Sequence, residues 1–266
     1  MCDITVILPT YNESENIGSL IEGIFQVMRG WDIEILVVDD DSPDGTSECV
    51  ESMRAHHERL RLITRRQDHG LVPSIWEGIQ SARGDIIVWL DADNSMQPAV
   101  IPQLVRKVRE GADMAFGSRY TKGGRGKGGQ ENHWNFVELF KAIRKSQDSF
   151  WAVLASVLGN LTVRHFLDRR FHDYTSGFYA IRKPVFQTIE LEGFYLDYCI
   201  RLLYKACVHD FKVVEVPMTV FARQKGESKT SSSIRDLVPI LLHCFHAVVE
   251  LRSYARQHGK KAVTRK

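Results

Sequence analysis

The sequence predicts an α/β fold: a mostly parallel central sheet, Rossmann-like in its alternation and flanked by helices, followed by a C-terminal amphipathic helix. Three observations predict it. Apolar runs of strand length alternate with segments of helical periodicity over the first half of the chain, the pattern of a parallel sheet covered on both faces. Polar clusters follow the first, second, fourth and fifth runs, where open parallel sheets gather their ligands. The chain has 266 residues, 44% apolar and 26% charged, which suits a large folded core and not a disordered chain.

The elements follow in order. Ile4 to Leu8 reads as a buried strand ended by Pro9. Glu13 to Met28 is helical, with Ile17, Leu20, Ile21, Ile24 and Phe25 on one face. Ile33 to Val38 is a second strand, Asp39 to Asp44 a loop, and Thr46 to His56 a helix. Leu60 to Thr64 is a third strand and Ser74 to Ala82 a short helix. Asp85 to Leu90 is a fourth strand, Pro98 to Arg109 a helix, and Asp113 to Gly117 a fifth strand. Thr121 to Asn135, rich in Gly, Lys and Arg, is a loop between periodic segments. Phe136 to Phe166 is helical. Gly177 to Ile181 and Lys212 to Val216 are strands, with a helix from Asp197 to Cys207 between them. The last helix runs from about Ile234 to Arg256, and a basic tail follows.

Composition excludes several classes. A formal net charge of +2 argues against a nucleic-acid partner. Five cysteines without a CxxC pair give neither a disulfide framework nor a structural zinc site, which fits a reducing compartment. Met1 leads straight into a strand, so no signal peptide is expected. No apolar stretch reaches the ~18 residues of a spanning helix, so the expectation is a protein in solution or on a membrane surface.

The chemistry concentrates at four strand ends. Asp91 and Asp93, two apart in an extended segment, point to one side. Two such carboxylates suit one hard divalent cation together with substrate phosphates; a solvated acidic turn is the competing reading. Asp39, Asp40 and Asp41 repel one another unless donors or a cation compensate. One of them suits ribose or a base, and some serve structure, since Ser42 to Thr46 reads as a turn and a helix cap. Arg119, past the fifth strand, carries a planar fork suited to phosphate. Arg223 and Lys229 flank Gly226-Glu227-Ser228. Together these suggest an enzyme that handles a metal–diphosphate substrate.

Read in series, Leu8-Pro-Thr-Tyr-Asn-Glu13, Val38-Asp-Asp-Asp-Ser-Pro-Asp-Gly-Thr46, Leu90-Asp-Ala-Asp93, Gly117-Ser-Arg-Tyr120, Asp173-Tyr-Thr-Ser-Gly-Phe178, Val214-Glu-Val-Pro217 and Arg223-Gln-Lys-Gly-Glu-Ser-Lys229 resemble the family 2 glycosyltransferases of GT-A fold. More narrowly, they resemble the dolichyl-phosphate mannosyltransferases and related polyprenyl-phosphate glycosyltransferases. The resemblance implies that Pro9, Tyr11, Glu13, Val38 and Asp40 hold the nucleoside. It implies that Asp91 and Asp93 hold Mg²⁺ or Mn²⁺, with Ala92 lining the diphosphate. It gives Arg119, Arg223 and Lys229 to the phosphates of donor or acceptor. Ser95 stands where some relatives carry Gln, and its hydroxyl is a further metal ligand, direct or through water. Ser156 and Asn160 fit the family's acceptor-side spacing, but the Arg of that pattern is Ala152 here, and Lys127, Arg144 or Lys145 are its candidate replacements.

The resemblance also implies a catalytic domain over residues 1–230, with 121–172 on the acceptor side, and a C-terminal helix and tail over 231–266. The implied reaction is inverting transfer of a sugar, mannose from GDP-mannose first, onto a polyprenyl or dolichyl phosphate. Asp91, Asp93 and Arg119 would act on the leaving diphosphate. An anionic acceptor needs no strong base, so His56, His57, His69, His133 and His172 are assigned to structure or solvent. The acceptor implies a membrane surface, a peripheral location on its cytosolic face, and room for a small membrane-embedded partner subunit. Ile234, Leu237, Val238, Leu241, Phe245 and Val248 form one stripe of the last helix. That stripe suits either an interfacial helix or one packed on the catalytic domain. A UDP-sugar transferase, a nucleotidyltransferase and a non-catalytic nucleotide-sugar or lipid-binding subunit are the alternatives.

Overall fold

The computed structural model describes residues 2–126, 159–194, 196–221 and 234–259, with 234–241 as backbone. Arg223, Lys229, Lys127, His133, Arg144, Lys145, Ala152 and Ser156 lie outside the described residues. So do the tail from 260, most of the predicted helix 136–166 and the side chains of Ile234, Leu237, Val238 and Leu241.

The described elements are β1 (Ile4–Thr10), α1 (Ser14–Val27), β2 (Ile33–Asp39), α2 (Thr46–Arg54), β3 (Leu60–Thr64), α3 (Leu71–Ser81), β4 (Ile86–Trp89), α4 (Ile101–Arg109), β5 (Met114–Ser118), β6 (Tyr179–Arg182), α5 (Asp197–Val208), β7 (Val213–Pro217) and α6 (Ile234–Gln257). A 3₁₀ turn, Pro98–Val100, leads into α4, and residues 159–166 are helical. The seven strands form one sheet of order β3-β2-β1-β4-β6-β5-β7. All neighbours are parallel except β6, which runs antiparallel to β4 and β5.

β1 and β2 are buried along their whole length, so their apolar runs show no alternation, as expected for a sheet covered on both faces. One core layer packs Ile17, Leu20, Ile21 and Ile24 of α1 and Leu104 and Val105 of α4 against one side. The other packs Ile75 and Ile79 of α3, Ile200, Leu202 and Leu203 of α5, and Val248 and Leu251 of α6 against the opposite side.

Three local expectations need correction. Pro9 does not end β1. The Thr10 carbonyl accepts the Asp40 N–H, so Thr10 faces β2 and Pro9 turns its nitrogen the other way. Pairing with β4 stops at Ile7–Trp89, so no ladder donor is missed there. α3 begins at Leu71 and not Ser74, because Pro73 sits in the first turn, where its absent N–H costs nothing. Phe245 is not on the buried side of α6: it is 58% exposed, while Cys244, Ala247, Val248, Leu251 and Ala255 are buried.

Candidate active site

The carboxyl ends of β1, β2 and β4 open on a cavity of about 530 Å³. Its wall takes Pro9, Thr10, Tyr11 and Glu13 from the end of β1, Asp40 from β2, and Asp91, Ala92 and Asp93 from β4. Four of the five described non-glycine residues with positive φ are Asn12, Asp41, Asp68 and Asn94. All lie in loops next to this wall, and Asn and Asp tolerate the left-handed region best.

The three adjacent acids have separate fates. Asp39 is fully buried and accepts hydrogen bonds from the hydroxyls of Thr10 (2.9 Å), Ser42 (2.5 Å) and Ser47 (2.8 Å) and from the Ser42 N–H (3.0 Å). It ties the end of β1 to the start of α2. Asp40 accepts from Arg65 Nη1 (2.6 Å), the Ser74 hydroxyl (2.7 Å) and the Gly70 N–H (2.6 Å). Its carboxylate therefore pins the 65–70 loop and the start of α3, which contribute His69 and Gly70, and Leu71 and Ser74, to the wall. Asp41 is exposed. Asp44 accepts from the N–H groups of Ser14 and Thr46, at the starts of α1 and α2. Burial alone would raise its pKa, but the Thr46 hydroxyl and those N–H groups hold it below the ordinary value.

Asp91 and Asp93 both reach the cavity, though not as extended neighbours. The chain leaves β4 at Trp89 and turns through Ala92 and Asp93, with Asn94 at φ 59. Asp93 Oδ1 accepts the Ser95 N–H at 3.0 Å, an Asx turn that aims the side chain. Among the described residues no third His, Cys, Asp or Glu joins them in a metal-holding group. Two hard carboxylates, with the remaining positions left to phosphate and water, fit Mg²⁺ or Mn²⁺. The phenol of Tyr198 lies close by. Burial, then Cys199 and Asp91, push its pKa well up, so it stays protonated.

Other residues marked in the sequence stand off the wall. Val38 is fully buried in the core, and Ser95, 3% exposed, sits behind the turn. Arg119 forms a fork-to-fork pair with Asp173, Nε to Oδ2 at 2.8 Å and Nη2 to Oδ1 at 2.7 Å, and Nη2 also donates to the Thr175 hydroxyl at 2.7 Å. Burial would lower its pKa, but the Asp173 carboxylate raises it further, so the guanidinium stays charged. Asn160 braces the pair: its amide N–H donates to the Thr175 hydroxyl at 2.9 Å and its oxygen accepts the Tyr174 N–H. Phe221 N–H donates to the Ser95 carbonyl at 2.9 Å, so the end of the segment after β7 lies beside the acidic turn.

Sequence reasoning missed several wall residues. His69, assigned to structure or solvent, lines the cavity, and so do Gly70, Leu71, Ser74 and Phe194. Gly70, whose φ of +147 needs glycine, is the residue type by which the sequence could have marked this loop.

The glycosyl transferase family 2 model matches residues 5–189. A dolichol-phosphate mannosyltransferase of Pyrococcus furiosus is 37% identical over 85% of this chain, which spans 58% of that relative's length. A polyprenol monophosphomannose synthase of Mycolicibacterium smegmatis is 34% identical over 86% of this chain and 81% of its own. Among solved structures, glucosyl-3-phosphoglycerate synthase from Mycobacterium tuberculosis, with Mn²⁺, UDP and phosphoglyceric acid, superposes with a TM-score of 0.65. That match has 18% identity and covers 94% of this chain and 78% of the other. The same enzyme with Mg²⁺ and UDP gives 0.62 at 20% identity.

Proposed function

The chain belongs to glycosyl transferase family 2 and is a glycosyltransferase, and on that premise we propose that it transfers mannose from GDP-mannose to a polyprenyl phosphate, with inversion at the anomeric carbon. The observation that carries the reading is the cavity in which Asp91 and Asp93, in the turn after β4, share one wall with the ends of β1 and β2. The relatives named above act, by their names, on dolichol phosphate or polyprenol, which supports the acceptor.

Each group has a defined task. Tyr11, Glu13 and the Asp40-pinned loop with His69 hold the nucleoside. Asp91 and Asp93 hold Mg²⁺ or Mn²⁺, which when bound neutralises the diphosphate's charge. Ala92 lets the backbone approach the diphosphate. Arg119, held by Asp173, serves the phosphates of donor or acceptor, as do Arg223 and Lys229. An acceptor phosphate oxygen attacks the anomeric carbon as the bond to the diphosphate breaks. That oxygen is already anionic, so no side chain need remove a proton.

No helix among the described residues is long and apolar enough to cross a membrane. On the present reading the protein meets its lipid acceptor at the cytosolic face, directly or through a small membrane-embedded partner.

The test is incubation with GDP-mannose, UDP-glucose and a polyprenyl phosphate, with Mn²⁺ or with EDTA, followed by mass measurement of the lipid. Mannosyl phospholipid formed from GDP-mannose only with the cation is expected. Nucleotide attached to the lipid would make the protein a nucleotidyltransferase. A hexose taken only from UDP-glucose would move the donor to the UDP class.

A further inference from the structure

Phe194 is 72% exposed, yet its backbone is held firmly. The Phe194 N–H donates to Asp197 Oδ1 at 2.9 Å. Asp197 is 3% exposed and also accepts from Arg201 Nε at 3.0 Å. Arg201 in turn reaches Glu250 of α6 at 2.6 Å. Gly193, just before, has φ +127, and a Cβ there would lie 2.9 Å from Asp197 Oδ2 and from the Tyr198 backbone. A side chain at 193 would therefore break the turn. A large apolar ring carried out of the core on a turn that demands glycine, and fastened by a buried carboxylate, is a presented side chain.

Its surroundings say what it is presented to. The ring stacks on His243 of α6, with centroids 5.6 Å apart and an interplanar angle of 23°. It also lines the cavity, so the face away from His243 is the one left for a ligand. Asp40 and His69 come from the β2 and β3 loops, and Asp91 and Asp93 from β4. Phe194 comes from the segment after antiparallel β6, which leaves the sheet at the opposite edge and returns to the cavity wall just before α5. With Tyr11 and Glu13 at the nucleoside and Asp91 and Asp93 at the diphosphate, Phe194 is the exposed aromatic ring of this wall that remains for the hexose.

We propose that Phe194 is the platform on which the donor's hexose stacks, with His243 of α6 backing the ring. The inference rests on the nucleotide-sugar donor proposed above. The π face of phenylalanine is electron-rich, and the polarised C–H groups on one side of a hexose complement it. α6 thereby contributes to the donor site from the far end of the chain.

Calorimetric titration of the full chain in Mn²⁺ with GDP and with GDP-mannose tests this. Phe194→Ala is expected to bind GDP-mannose about five-fold more weakly and GDP unchanged, from the size of aromatic-face contacts. Phe194→Trp restores the affinity and Phe194→Leu does not. Equal weakening of GDP and GDP-mannose overturns the proposal, because the ring then only walls the nucleotide. Unchanged GDP-mannose binding with a raised KM for the lipid phosphate also overturns it and gives the ring to the acceptor. A wild-type protein that binds no nucleotide sugar removes the donor reading itself, a result distinct from either.

Discussion

Asp39 and Asp40 are neighbours in sequence, both buried and both hydrogen-bonded, and only Asp40 lines the cavity. Asp39 is sealed under four hydrogen bonds. Asp39→Ala leaves those donors unmatched and is expected to cost about 3 kcal/mol in urea unfolding; a midpoint equal to wild type would refute the structural role. Asp91 and Asp93 predict the reverse profile. Both line the cavity, so Asp91→Asn and Asp93→Asn should lower turnover at least about 100-fold with little change in melting temperature. Wild-type rates in either variant would end the metal-site reading. This division was half legible in the sequence. The acids and their strand were visible, because a buried apolar run announces itself. Which acid is sealed at the end of β1 and which anchors the cavity's loop depends on Ser42 and Ser47 for Asp39 and on Arg65 and Gly70 for Asp40, and no periodicity reports those contacts. The same holds for Arg119, whose partner Asp173 is 54 positions away, and for Phe194, an apolar residue in a loop that belongs to no stripe.

Elements are locked to one another by a few buried polar anchors. Glu34 of β2 accepts from Thr5 of β1 (2.7 Å), from Arg61 of β3 (3.1 Å) and from the Arg83 N–H that leads into β4 (2.8 Å). Burial alone would raise its pKa, but the Thr5 hydroxyl, the Arg83 N–H and the Arg61 guanidinium together hold it below its unfolded value of 4.5. A carboxyl whose folded pKa is depressed adds stability above the unfolded value and loses it as pH falls through the folded value. Stability should therefore fall below the unfolded pKa of 4.5, and more steeply in wild type than in Glu34→Gln. Parallel unfolding midpoints of the two proteins from pH 7 to pH 3 would sink this. β6 shows the limit at this scale. Its apolar run was found, but an apolar run carries no direction, and only its place between β4 and β5 makes it antiparallel. α6 shows another. Its stripe was expected through Phe245, whereas burial by α5 selects Cys244, Val248 and Leu251. Leu251→Ala should accordingly cost about 2–5 kcal/mol, read as a drop in the urea midpoint, and no drop would place α6 outside the core.

At the scale of the whole molecule, the cavity is a convergence of residues from Pro9 to Phe194, so its occupant bridges segments far apart in the chain. A ligand that binds this assembled wall, and not the unfolded chain, stabilises the entire fold by mass action, about 2.7 kcal/mol at a hundred-fold excess over Kd. GDP with Mn²⁺ is therefore expected to raise the melting temperature by several degrees for a chain of this size. EDTA should abolish most of the shift, and Asp91→Asn should remove the cation-dependent part while leaving the fold intact. The site is built by folding and is not carried by one loop. A shift of equal size with EDTA, or one retained in full by Asp91→Asn, would mean that the nucleotide binds without the two aspartates. The convergence at the strand ends would then serve a different ligand.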